Sequence, residues 1–133
     1  MKIINNTFFL RFSIAIILLA HSIPSFLDNS INDFGNLYLN QNGFAPVGVY
    51  IAWAIKISHV VAALCLLLEK YVKLVSIVTI FILLMGIIMV HYQEGGYVVG
   101  GGRNGMEYNF LLICVLISIY FQTFQNQLKN QPE

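Results

Sequence analysis

The chain has 133 residues, 58% hydrophobic and 10% charged, with a formal net charge of +1. A soluble domain carries about 25% charged residues, so the seven basic and six acidic residues here cannot cover a water-facing surface. The near-zero charge leaves no basic footprint for nucleic acid, and two cysteines are too few for a disulfide-stapled mini-protein.

The charges divide the chain into four long apolar stretches. The expected fold is all-α, an integral membrane four-helix bundle forming one domain over residues 1–133. Its spanning helices are expected over about 7–24, 46–68, 72–91 and 107–124. Each approaches the roughly 20 residues that cross a ~30 Å hydrocarbon core. The alternation of membrane strands is absent, and an open sheet in lipid would leave backbone groups unpaired.

The first stretch follows Lys2 and ends near Ala20-His21-Ser22, which has the outline of a secretory signal. Arg11 interrupts its apolar run, and cleavage would leave three helices, so it reads as a spanning helix. In the next connection, Ser30-Ile31-Asn32-Asp33 is a capping-box-like start. Ile31, Phe34 and Tyr38 share one helical face, Asn32, Asn36 and Asn40 the other, and Gly43 offers a stop. This spacing predicts a short amphipathic helix across the outer surface. Pro46 suits the first turn of the second spanning helix.

Lys56 lies about ten residues, or about 15 Å, into that second helix. A charge there costs about 2.5–3.5 kcal/mol on insertion scales, so it should face the interior and find a partner. His59, three residues on, shares its face. The third stretch is uncharged and is followed by His91. On the fourth helix, Glu107, Leu111, Cys114, Ser118 and Gln122 fall within about 80° of one another. That stripe is expected to face the bundle axis and to bring Glu107 to Lys56, with Glu94 as the alternative partner.

Between the third and fourth helices, Gly100, Gly102 and Gly105 satisfy G-x-G-x-x-G. They follow a membrane helix and not a strand, so dinucleotide binding is set aside; the glycines suit tight backbone folding over the outer end. Cys65 and Cys114 form no C-x-x-C and read as small packing residues. Trp53, Tyr92, Tyr97, Tyr108 and Tyr120 read as an interfacial belt.

Lys2, Arg11, Lys70, Lys73 and Lys129 lie at the chain ends and the middle connection. The other connections hold one basic residue, Arg103, with Asp28, Asp33, Glu94 and Glu107. The positive-inside rule then places both termini in the cytoplasm. His21, Lys56, His59, His91, Arg103 and Glu107 gather in the outer half of the bundle. Histidine titrates near neutrality, which suits proton transfer to a redox ligand. The expected catalytic residues are Lys56, His59 and His91, and the expected ligand-binding residues are His21, Arg103 and Glu107. No metal site is expected, and a bis-histidine haem on His21 and His91 finds no further signature.

Several ordered features resemble the DoxX family of small bacterial four-helix membrane proteins. They are Leu10-Arg11 and His21 around the first helix, Gly43-Phe44-Ala45-Pro46 before the second, His91 after the third, and Gly105-Met106-Glu107-Tyr108-Asn109-Phe110 at the fourth. The second helix departs from the pattern, reading Ala54-Ile55-Lys56-Ile57-Ser58-His59 where relatives often carry a glutamate. The resemblance implies a multi-pass protein of the bacterial inner membrane, a subunit of a quinone-linked oxidoreductase with other protein subunits as partners. A quinone or small oxyanion would bind in the outer polar cluster. The alternatives are a non-catalytic scaffold or assembly factor, which a homo-oligomer would also suit, and a small-solute transporter.

Overall fold

The computed structural model describes residues 6–92 and 106–129. Its elements are α1 (Phe8–Leu27), α2 (Ser30–Asp33), α3 (Gly48–Leu67), α4 (Val72–Gly86) and α5 (Glu107–Lys129). α2 continues as a wider, π-helical stretch, Phe34–Phe44, and α4 as a shorter one, Ile87–His91. Among the described residues there is no strand. Four helices, Phe8–Leu27, Gly48–Leu67, Val72–Val90 and Glu107–Lys129, are long and apolar enough to cross a membrane. The fold is the expected four-helix membrane bundle.

Around the bundle, α1 packs on α3, α3 on α4 and α4 on α5, while α5 touches α1 only sparingly. Ala15, Ala62 and Ala63 are buried in the core, where small side chains let helices approach closely, and Leu66, Leu116 and Ile119 fill the remaining space.

The α3–α4 connection defines the turn end of the bundle. The Lys70 N–H reaches the Cys65 carbonyl at 3.0 Å, while Glu69 takes a left-handed φ of 56°. This is a Schellman closure with glutamate at the position glycine usually holds. Arg11 lies beside it, 1% exposed. Its guanidinium donates to the Leu66 carbonyl at 2.6 Å and to Thr7 Oγ1 at 3.2 Å, and stands 3.6 Å from the Glu69 carboxylate. The residue that interrupts the first apolar run therefore ties the start of α1 to the end of α3.

The connection over residues 28–47 forms the cap end. α1 runs three residues beyond Pro24, which costs the Ala20 carbonyl its helical donor but leaves the last turn intact; the Asp28 N–H bonds the Pro24 carbonyl at 3.0 Å. The expected capping box at Ser30 is not formed. Asn29, at φ 63°, precedes α2, and the Asp28 carboxylate accepts the Ser30 N–H at 3.0 Å. That hydrogen bond, more than the nearby Lys56 charge, holds the Asp28 carboxyl below its ordinary range. The expected apolar face does turn inward: Ile31 and Leu39 are buried, Phe34 and Tyr38 half-buried. Gly43 ends the stretch at φ 97°. Pro46 precedes α3 instead of occupying its first turn, since α3 begins at Gly48.

A close glycine contact and three hydrogen bonds pin this cap. A Cβ on Gly48 would collide with the Gly35 carbonyl and Asn40, and one on Gly35 with the Val49 backbone. Asn40 Oδ1 accepts the Gly48 N–H at 2.9 Å. The Trp53 indole N–H donates to Asn32 Oδ1 at 2.9 Å, and the Tyr38 hydroxyl to the Met89 carbonyl at 2.7 Å.

The polar stripe expected on the fourth spanning helix points the other way. Glu107, Leu111, Cys114 and Ser118 are exposed, while Leu112, Ile113, Leu116 and Ile119 are buried. The Ser118 hydroxyl donates to the Cys114 carbonyl of its own helix at 2.9 Å. A hydroxyl satisfied in this way has no need of the interior.

Candidate functional site

Beneath the cap lies a cavity of about 930 Å³ with walls drawn from α1, α3, α4 and α5. Most of its surface is apolar, with Ile55 of α3, Met85 of α4 and Leu112 of α5 on the sides and Phe34 and Leu39 in the roof. Its polar groups include His21 and Ser25 of α1, Lys56 and His59 of α3, and Tyr108 and Asn109 of α5.

Helical register explains the first four. His21, Ser25 and Asp28 follow one edge of α1, while Lys56 and His59 share one face of α3. The Lys56 ammonium donates to the His21 backbone carbonyl at 2.6 Å. The Ser25 hydroxyl donates to the same carbonyl at 3.4 Å. An ammonium has three donors, so donors remain for a ligand. Among the described residues no carboxylate lies within ion-pair distance of Lys56, and the opposite charge that reaches it is Asp28.

The expected Lys56–Glu107 pair is therefore not formed. Glu107 is the exposed first residue of α5 and lies outside the cavity lining, whereas Tyr108 and Asn109, one and two positions on, line it. Glu94, the alternative partner, lies outside the described residues.

His59 is 8% exposed and lines the cavity, yet neither ring nitrogen has a hydrogen-bond partner among the described residues. Buried polar groups are bonded in roughly nine cases of ten; the Ser22 and Ser76 hydroxyls share this state, but of the three residues His59 alone lines the cavity. His21 is exposed at the cavity edge, its ring centroid 6.4 Å from that of Tyr108. The structure thus brings His21, Lys56 and His59 together around one space. His91 closes the extension of α4 by its backbone, its side chain being outside the described residues, as is Arg103. Among the described residues, no three His, Cys, Asp or Glu side chains are grouped to hold a metal.

Sequence reasoning did not single out Asn109 or Asp28, and it placed Tyr108 in the interfacial belt. Asn109 and Tyr108 belong to the motif that opens the fourth helix, which was the available signal. Asp28 lies seven residues from His21, two helical turns along the same edge.

No curated protein and no solved structure matches the chain. The family model for DoxX matches residues 7–92, which takes in α1 through the extension of α4 and stops before α5. The chain belongs to the DoxX family.

Proposed function

We propose that this protein is a membrane subunit of a quinone-linked oxidoreductase in the bacterial inner membrane, and that the cavity under the cap receives the quinone. The observation that carries this reading is His59, buried with both nitrogens unpartnered in a space walled mostly by apolar side chains. A space of about 930 Å³ with few polar groups suits an amphiphile. A small oxyanion would leave most of it unfilled, so the quinone is favoured over the oxyanion.

When bound, a quinone accepts two electrons and two protons and leaves as the quinol, the electrons coming from a partner redox subunit. This chain's residues would hold the head group and manage its protons. Lys56 Nζ, fixed by the His21 carbonyl, donates to a head-group oxygen and stabilises negative charge on it. His59 holds or passes a proton at a ring nitrogen. His21 sits between this pair and the cavity edge.

Trp53, the only tryptophan, lies three residues from Lys56 and reports on the site. Titrating purified protein with ubiquinone-1 should quench its fluorescence saturably. A hydrogen bond to a charged group contributes about 1.5–3 kcal/mol, so Lys56→Met should weaken binding roughly tenfold or more. His59→Leu should weaken it as well. Lys73→Gln, at the turn end, should bind like the wild type. Equal affinity in all four proteins would remove the basis for this reading.

A further inference from the structure

We infer that the cavity opens sideways into the bilayer, through the seam between α1 and α5, with His21 and Tyr108 flanking the opening. The identity of the ligand rests on the quinone reading; the direction of access stands on geometry of its own.

Among the described residues the roof is closed. Tyr38 is bonded to Met89 across it, Trp53 to Asn32, and the Gly35–Gly48 contact has no room even for a methyl group. The sides differ from one another. α1 packs along α3, α3 along α4 and α4 along α5, but α5 meets α1 only sparingly. Both residues facing across that loose seam line the cavity and are exposed, His21 from α1 and Tyr108 from α5. Their rings are tilted by 50° at 6.4 Å, a contact without interdigitation, and no hydrogen bond joins the two side chains.

Depth then decides what the opening meets. His21 lies six residues, about 9 Å, below the cap end of α1. Lys56 and His59 lie about 12 and about 17 Å below the cap end of α3. The polar groups therefore descend from the seam toward the middle of the span, in the order His21, Lys56, His59. Measured on α1, the opening lies inside the span and faces acyl chains there, while its α5 flank, Tyr108, is the second residue of that helix, beside exposed Glu107. The opening admits a ligand already dissolved in the membrane, with an uncharged polar head and a lipid-like body, and it excludes a charged solute arriving from the aqueous side.

The test uses a Cys65→Ser, Cys114→Ser background carrying His21→Cys and Tyr108→Cys, reconstituted in nanodiscs. Lys56 bonds the backbone of residue 21, so the replacement leaves that bond in place. Joining the two cysteines with a short bismaleimide should slow Trp53 quenching by ubiquinone-1 at least tenfold, relative to the same protein capped with N-ethylmaleimide. An unchanged rate after cross-linking overturns the seam as the route. A spin label on His21→Cys alone supplies a readout that needs no ligand. It should collide more with oxygen, which concentrates in lipid, than with a water-soluble nickel chelate, and the opposite order overturns the lipid-facing opening. If the capped protein shows no quenching, the quinone reading fails, while the spin label still decides where the cavity opens.

Discussion

The Arg11 guanidinium and the Leu66 carbonyl are joined by a 2.6 Å hydrogen bond between residues 55 positions apart, which locks the first turn of α1 to the last turn of α3. The same guanidinium reaches the Glu69 carboxylate, so one cation serves a helix end and its reversing turn.

Arg11→Met should remove the bond to the Leu66 carbonyl and the cation beside the Glu69 carboxylate, lowering stability by about 1.5–3 kcal/mol. Arg11→Lys should fall between the two, since an ammonium keeps the charge but lacks the planar fork that reaches Leu66 and Thr7 at once. Thermal unfolding in detergent is the measurement. Equal midpoints for the wild type and Arg11→Met would show that the bond contributes nothing.

At Glu69 two effects oppose each other. The left-handed backbone favours glycine by about 1 kcal/mol, whereas a partly exposed ion pair contributes about 0–1 kcal/mol. Glu69→Gly should therefore be close to neutral. Glu69→Ala loses the pair and keeps the strain, so it should be less stable than Glu69→Gly by about 1 kcal/mol. The reverse order would remove backbone conformation as the controlling term.

Gly48→Ala should disrupt the cap, because its methyl collides with backbone atoms, the Gly35 carbonyl oxygen and the Asn40 nitrogen, as well as with Asn40 Oδ1. Overpacking of this kind costs about 1–3 kcal/mol. Limited proteolysis should then cut more rapidly within residues 28–47. Gly86→Ala is the contrast: its Cβ would meet Asn109 Nδ2 at 3.5 Å, an ordinary contact, and cleavage of the cap should stay at the wild-type rate.

The carboxylate of Asp28 fixes the start of α2 through the Ser30 N–H, which lowers its pKa in the folded chain. A lowered folded pKa contributes in full above the unfolded value of about 4 and is lost as pH falls through the folded value. Amide exchange of the cap, corrected for intrinsic rates, should be level from pH 8 to about pH 5 and accelerate in stronger acid. Asp28→Asn should abolish that acid-side change.

The spans were legible because a 20-residue apolar run admits few structures in lipid, and Lys56 stood out because its position put charge at depth. What Lys56 bonds was not legible. Its acceptor is the main-chain carbonyl of His21, and backbone acceptors carry no residue type to search for. Arg11 was read as a marker of the inner face, since its partners are far away in sequence. The fourth spanning helix was misread for a different reason. Ser118 and Thr123 donate to the Cys114 and Ile119 carbonyls of their own helix, at 2.9 and 2.8 Å, so their polarity says little about direction. His59 was placed correctly beside Lys56, but only three dimensions reveal that its nitrogens lack partners.

Among the described residues α5 is fastened mainly along one side. Lys73 of α4 sits 5.1 Å from the centroid of the Phe124 ring near the turn end, and Gly86 of α4 lies beside Asn109 near the cap. A rod held along a single edge moves as a hinged panel. With helix axes about 10 Å apart, a swing of about 10° shifts the free edge by roughly 2 Å, enough to separate two touching rings. Such rigid-body motions take microseconds to milliseconds. Passage past Tyr108 would then be timed by the rocking of a whole helix, and the thickness and fluidity of the surrounding lipid would set its pace.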